Sequence, residues 1–258
     1  MSLDDLHQYL IAEPDVVRDR SPDDTMFTGD EDHYWGSGLS ALKSIKVALL
    51  TAGRTDVGRI LDLPCGYGRV MRYLRGGFPD AEIVACDLER GGVDFCASTF
   101  GAIPVYSVVD PAKLELPGTF DLIWCGSLFT HLPPEGWRQF LNLFDSVLEK
   151  GGLLVFTTHG RMTATFMADG YTFGMNDRAP EMLQRADDER FAYGAYDDKQ
   201  GYGISLSYPD WVTKEIQKRG NLRLLNYTEA GWIRHQDIVV YQKPPADWND
   251  LPPAGTGF

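Results

Sequence analysis

The stretch RILDLPCGYGRVM, Arg59 to Met71, constrains the fold more than any other part of this 258-residue chain. A short apolar run, Arg59 to Leu63, carries an acid at Asp62, passes two glycines, Gly66 and Gly68, and enters a helical pattern. A strand that turns this tightly into a helix leaves backbone N–H groups pointing into the turn, where an anionic or nucleotide group can accept from them. Further apolar runs of strand length follow at residues 82–87, 103–108, 120–125, 153–158, 222–227 and 237–242. Helical or crossover stretches separate the first five, as in a parallel sheet covered on both faces. The clearest spans 134–149, with Trp137, Phe140, Leu141, Phe144, Val147 and Leu148 on one face, Pro133 and Pro134 at its start and Gly151 expected as its stop. The expected class is therefore α/β: a doubly wound sheet of seven strands, mostly parallel with an antiparallel last strand, helices on both faces.

This pattern divides the chain. Residues 1–55 form an N-terminal helical segment in which two helices, the second near 39–50, flank an acidic, turn-rich stretch at 13–32; it is expected to cover the ligand site. Residues 56–160 are the Rossmann-like core. Residues 161–207, rich in Gly, Tyr, Phe, Met and Asp, break the strand-helix rhythm as an insertion of the kind that forms lids. Residues 208–243 complete the core, and 244–258 is expected to be a flexible tail.

A dinucleotide site would place GxGxxG directly after the first strand, and that motif is absent. Instead Asp62 ends the strand, and Asp87 ends the next one at the sheet edge where open α/β proteins bind ligands; a carboxylate there accepts from both hydroxyls of a ribose. On these residues, together with Asp110 after the third strand, the Cys125–Leu128 segment after the fourth and the Gly151-Gly152 junction, the chain resembles the class I S-adenosylmethionine-dependent methyltransferases over residues 33–243. Pro64 stands where the family's first glycine normally is. The resemblance implies that Asp62, Pro64, Gly66 and Gly68 hold the methionine end of S-adenosylmethionine and Asp87 with Leu88 the ribose. Asp110 with Pro111 would hold the adenine, and Cys125 with Gly126 the methyl-donor pocket. S-adenosylhomocysteine would be the product.

Lys plus Arg number 24 against 37 Asp plus Glu, a formal charge of −13, and no basic run relieves it. DNA or bulk RNA is thus disfavoured as partner, since phosphate binding needs clustered cations. No leader pattern opens the sequence and no apolar run reaches the roughly 18 residues of a membrane span. The four cysteines lack metal spacing and read as reduced, buried thiols in a cytoplasmic protein, with no metal site expected.

Topology gathers chemistry at one end of the sheet. His131 follows the fourth strand, His159 ends the fifth, and Trp232, His235, Gln236 and Asp237 precede or open the last. A neutral imidazole there could take a proton from an acceptor hydroxyl or amine, so His131, His159 and His235 are the candidate bases. His131 could equally bond backbone or touch the cofactor, and Asp237 is expected to pair with a neighbouring group. Tyr34 and Trp35 either cover the cofactor or dock the helix, and the aromatics of the insertion, Tyr171 and Tyr202 among them, line a pocket or fill a small core; a homodimer surface is another use for them. The expected function is methyl transfer to a small or medium organic acceptor at oxygen, of sugar, lipid-linked or secondary-metabolite type. The alternatives are a catalytically silent S-adenosylmethionine-binding scaffold or sensor, and an NAD-dependent oxidoreductase.

Overall fold

In the computed structural model, residues 2–197, 201–219 and 222–245 are described. Most of the expected tail, 246–258, lies outside them. The elements follow as α1 (Leu3–Ile11), α2 (Glu31–Thr51), β1 (Arg59–Asp62), α3 (Met71–Gly77), β2 (Glu82–Asp87), α4 (Arg90–Phe100), β3 (Ile103–Tyr106), β4 (Phe120–Cys125), α5 (Pro134–Val147) and β5 (Leu148–His159). After these come α6 (Arg161–Ala168), α7 (Ala179–Glu189), β6 (Phe191–Ala195), β7 (Gly203–Ser207), α8 (Pro209–Gln217), β8 (Arg223–Trp232) and β9 (Gln236–Gln242).

Seven strands form one sheet in the order β3-β2-β1-β4-β5-β9-β8. The pairs among β1 to β5 are parallel, and β9 runs antiparallel between β5 and β8. The strand order reverses between β2-β1 and β4, which opens a crevice at the carboxyl ends of β1 and β4, the usual ligand position of such sheets. The inner strands are apolar and buried on both faces, whereas β3 alternates half-buried with exposed residues, as an edge strand does.

Two cores pack on opposite faces. One joins Leu42, Ile45 and Leu49 of α2 and Met71 and Leu74 of α3 to the sheet, with Trp124 and Trp232 edge to face at 5.4 Å. The other seats Trp137, Phe140, Leu141 and Phe144 of α5 and Val212 and Ile216 of α8. The helix predicted near 39–50 begins eight residues earlier, at Glu31, where Asp30 caps it by accepting from the His33 N–H at 2.9 Å. Gly36, Ser37, Gly38 and Ser40 dilute the apolar period there, and Gly38 is required because a side chain would collide with Tyr73 and the Arg69 carbonyl. Gly151 does not stop α5, which ends at Val147; its N–H donates to the Lys243 carbonyl at 2.8 Å inside the β5–β9 pairing.

Within 161–207 the structure contains a feature absent from the sequence reading, an antiparallel pair of β6 and β7. It packs with α6 and α7 around a third small core of Met167, Met175, Met182, Ile204 and Leu206. The Ser205 hydroxyl on β7 donates to the Leu132 carbonyl at 2.7 Å, tying the pair to the loop after β4.

Candidate active site

A cavity of about 510 Å³ opens at the carboxyl ends of β1, β2, β4 and β5, within the size range of small-ligand sites. A groove of about 500 Å³ between α2 and β8–β9 holds no histidine or carboxylate. The main cavity is lined from three directions: the turn after β1, the ends of β4, β5 and β9, and the insertion.

The turn after β1 is held by its own backbone. Gly68 adopts φ +79°, and a side chain on it would collide with Phe100. The Gly66 N–H donates to Asp87 Oδ2 at 2.7 Å, and the Glu89 N–H to Oδ1 at 3.0 Å, so Asp87 is fixed at the cavity with lone pairs to spare. Asp62 differs. It is 1% exposed, lines the cavity, and neither carboxylate oxygen has a hydrogen-bond partner among the described residues. Burial, reinforced by the nearby Asp87, raises its carboxyl well above the ordinary range. A buried, unsatisfied carboxylate is a standing cost that a cationic ligand group would remove.

The opposite wall carries the imidazoles. His131, His159 and His235 form a row, with ring centroids 6.2 and 5.7 Å apart. His131 Nδ1 lies 2.6 Å from the Gly203 carbonyl and its ring stacks on Tyr202 at 4.6 Å. His235 Nδ1 lies 3.0 Å from the Ile233 carbonyl, and burial lowers its pKa. A carbonyl only accepts, so Nδ1 carries the proton in both. His159 is the deepest at 3% exposed; burial and the two neighbouring rings push its pKa well below the ordinary value. Its Nδ1 has no hydrogen-bond partner among the described residues. At neutral pH this ring is uncharged. Phe173 lies 5.2 Å from it, centroid to centroid. Below the row, Gln236 Nε2 donates to Ser127 Oγ at 2.9 Å, the Ser127 N–H to Thr157 Oγ1 at 2.8 Å, and Thr157 Oγ1 to Gln236 Oε1 at 2.6 Å. The ends of β4, β5 and β9 are thereby locked together.

Of the residues singled out in the sequence, Asp62, Pro64, Gly66, Asp87, Gly126, His131, His159, Tyr202, Trp232, His235 and Gln236 line this one cavity. The others do not. Gly68 shapes the turn from behind, and Cys125 faces the core because the pleat alternates. Leu88 is 60% exposed, and Pro111 is buried in a short 3₁₀ helix whose cap is Asp110, accepting from the Ala112 N–H at 3.1 Å and pairing with Lys113. Tyr34 is buried, donating to Asp24 Oδ2 at 2.6 Å, and half-buried Trp35 packs edge to face against it, so both dock the N-terminal segment instead of facing the ligand space. Tyr171 is 67% exposed against Phe173. Asp237 accepts from Tyr227 Oη and the Ala230 N–H, both at 2.9 Å, and burial raises it to about 6.

Ser127, within the expected Cys125–Leu128 segment, also lines the cavity, as do Asp24, Met26, His33 and Arg69, which were not singled out. His33 arrives on the first turn of α2, and Asp24 and Met26 on the irregular segment before it, which is pinned by Arg72: its guanidinium donates to the Val17, Asp19 and Gly68 carbonyls at 2.9 to 3.0 Å. No local pattern marks them.

Residues 60–152, which include β1, the glycine turn and β2 to β4, match the family model described as "Methyltransferase domain". Over this stretch the chain is similar to a methyltransferase domain. Over 105 residues it is 30% identical to a malonyl-[acyl-carrier protein] O-methyltransferase of Acetivibrio thermocellus, a match covering 40% of this chain and 36% of that relative. The chain thus matches little more than a third of that relative's length. Among solved structures, an S-adenosylmethionine-dependent methyltransferase from Clostridium acetobutylicum superimposes with a TM-score of 0.56 at 15% identity, over 86% of this chain and 96% of that one. The N-methyltransferase NodS from Bradyrhizobium japonicum, solved with S-adenosyl-L-homocysteine, gives 0.54 at 12% identity over 93% and 97%. The chain therefore shares its fold with these proteins.

Proposed function

We propose that the protein transfers a methyl group from S-adenosylmethionine to an oxygen of a small organic acceptor. The observation that carries this reading is one cavity with an unsatisfied buried carboxylate, Asp62, on one wall and a neutral imidazole with an unsatisfied Nδ1, His159, on the other. The donor set fits a sulfonium cofactor: Asp62 meets the ammonium of its methionyl end, the Gly66–Gly68 turn lies against that end, and Asp87 accepts from the ribose. Leu88 is assigned with Asp87 to the ribose, and Asp110 with Pro111 to the adenine. When bound, S-adenosylmethionine supplies an electrophilic methyl carbon for in-line displacement. The protein's task is then to align the acceptor oxygen, exclude water, and take a proton where the acceptor is a hydroxyl. His159 has its accepting nitrogen free for that proton, and His131 and His235 flank it as alternatives.

Oxygen is favoured over amine nitrogen by the acceptor wall itself. The cavity's carboxylates are Asp24, Asp62 and Asp87, and the wall facing the insertion offers imidazoles, Ser127, Gln236, Tyr196 and Tyr202 instead. A protonated amine would find no counter-charge there. The curated relative carries the name of an O-methyltransferase. No helix among the described residues is long and apolar enough to cross a membrane, and the −13 charge disfavours nucleic acid, so a small-molecule acceptor met in the cytoplasm suits this site. We assign the 161–207 segment, which contributes Phe173, Tyr196, Tyr202 and Ile204 to the wall, to acceptor selection.

Calorimetric titration with S-adenosylhomocysteine, beside Asp87→Ala, tests the cofactor half. A dissociation constant in the micromolar range, weakened at least tenfold in the variant, is expected. A labelled-methyl screen over hydroxyl and carboxyl acceptors tests the rest; binding without transfer to any acceptor would favour the silent scaffold.

A further inference from the structure

The acceptor wall is held by backbone carbonyls, and the ring nitrogen that each carbonyl takes decides what the wall offers a ligand. On β7 the Tyr202 carbonyl accepts from the Tyr196 N–H at 3.0 Å, and just beyond the strand the Tyr208 N–H donates to the Arg190 carbonyl at 2.9 Å, so the even-numbered positions face β6. Antiparallel pairing alternates, and the carbonyls of Gly203 and Ser205 therefore point off the opposite edge. That edge lies against the loop after β4, where the Ser205 hydroxyl is anchored between the Leu132 and Phe129 carbonyls, 2.7 and 3.2 Å away. Both outward carbonyls take an imidazole. His131 Nδ1–H donates to Gly203 at 2.6 Å. The Ser205 backbone is hydrogen-bonded to His159 and favours its protonated form, which marks the carbonyl as the partner; since Nδ1 has no partner among the described residues, the donor is Nε2. Alternate carbonyls of one strand repeat every ~6.8 Å, close to the 6.2 Å between the two ring centroids.

We propose that β7 sets the tautomers of His131 and His159 through the carbonyls of Gly203 and Ser205, and that the lone pair this leaves on His159 Nδ1 makes the methyl acceptor a neutral alcohol or phenol, not a carboxylate. The proposal rests on the methyl-transfer reading above and narrows it. Gly203 and Ser205 are positioning residues, since they hold the imidazoles and neither lines the cavity. An ionised carboxylate only accepts hydrogen bonds. Set against a ring nitrogen that also only accepts, it leaves both without a proton, and burial keeps His159 from picking one up. Among the described residues lining the cavity there is no lysine, and the single arginine, Arg69, follows the glycine turn, lies 5.6 Å from the Trp232 indole and is in the field of Asp24. A hydroxyl fits instead, because its O–H satisfies Nδ1. During transfer its oxygen forms the new bond to the methyl carbon, the methyl–sulfur bond breaks with its electron pair passing to sulfur, and the hydroxyl proton goes to Nδ1.

The test is NMR of the full chain carrying nitrogen-15 in its imidazoles, which reads each tautomer without turnover. His159 is expected as Nε2–H and His131 and His235 as Nδ1–H; His159 found as Nδ1–H, or as an even mixture, overturns the proposal. Ser205→Ala cuts both anchors of β7 and should let the Nδ1–H form of His159 appear, while Ser205→Thr should restore the single tautomer. An alanine variant that keeps the wild-type tautomer overturns the role of β7, and the wild-type spectrum still decides the tautomers if that variant fails to fold. Phenol and benzoate, which share a ring, then probe the acceptor side with S-adenosylhomocysteine present, and methyl glucoside in a third arm separates a sugar alcohol from a phenol. A hydroxyl probe should move the His159 Nδ1 resonance and bind about 10-fold tighter than benzoate. Benzoate binding as tightly, or hydroxyl probes that leave Nδ1 unmoved, overturns the acceptor assignment. So does a labelled-methyl product that alkali cleaves to methanol, the sign of a methyl ester, where an ether would survive. If the protein does not bind S-adenosylhomocysteine, the methyl-transfer reading itself fails, a result distinct from a wrong tautomer.

Discussion

Asp62→Asn should make the ligand-free protein more stable and the cofactor weaker, and the two effects have one cause. The folded-state pKa of Asp62 is raised by burial and by Asp87. A carboxyl that binds its proton more tightly folded than unfolded contributes stability at low pH, and that contribution is lost as pH climbs from the ordinary value of 3.8 towards the raised one. Each pH unit in that window costs about 1.4 kcal/mol. For a chain of this length the unfolding entropy is about 0.54 kcal/mol/K, from roughly 2.1 cal/mol/K per residue, so each unit costs about 2–3 °C in Tm. Asparagine keeps the shape and an unsatisfied amide but has no such titration. Its own stability lacks this pH dependence, so the Tm difference in its favour should grow by about 2–3 °C per pH unit from pH 5 until the raised pKa is passed. Thermal melts across pH 5 to 8 measure the slope, and calorimetry with S-adenosylhomocysteine should show affinity down about 10- to 100-fold. In wild type, binding should release a proton, visible as a dependence of the apparent enthalpy on buffer. A Tm difference that stays flat from pH 5 to 8, together with unchanged affinity, would refute the argument.

Three further outcomes follow from the geometry. His159→Asn should lower kcat by about 10²- to 10⁴-fold with S-adenosylhomocysteine affinity nearly unchanged, as expected of a base; because its pKa is depressed, wild-type kcat should hold on the acid side to well below pH 6.5 before His159 protonates. Arg72→Met should cost about 3 kcal/mol or more by orphaning the Val17 and Asp19 carbonyls and removing the buried guanidinium's packing, and limited proteolysis should then cut within residues 13–30 first. Gly68→Ala should destabilise the fold by more than 1 kcal/mol, read in urea melts, because φ is +79° and the new methyl meets Phe100.

The parallel core was legible because it is written in short range: apolar runs, an acid at the ends of β1 and β2 and a glycine turn are all local signals. The strand ends also told which histidines meet, since parallel strands bring their carboxyl ends to one edge. What escaped is what depends on distant partners. Phe191–Ala195 and Gly203–Ser207 are strands of five residues mixing Gly, Ala and Ser, too short and too small to stand out from a turn-rich insertion. Arg69 and Arg72 read alike in the sequence; only Val17, Asp19 and Tyr34, brought back from far upstream, distinguish the guanidinium that pins the N-terminal segment from the one that lines the cavity. Tyr34 and Trp35 look like a cofactor cover because they are aromatic, yet Asp24 draws the Tyr34 hydroxyl away from the cavity.

The position of β9 sets an order of events during synthesis. It is the last strand of the sheet to be made and lies between β5 and β8, while Trp232, just ahead of it, donates to the Ser37 carbonyl of α2 across 195 positions of sequence. A nascent chain emerging from the ribosome can therefore pair β1 to β5 early, but β5 keeps a bare edge and α2 lacks its indole anchor until Trp232 and β9 have been made. His159 and Gln236 meet only at that final step. The ligand site is thus completed only once β9 is in place, and a chain cut before β9 is both inactive and open to edge-to-edge association.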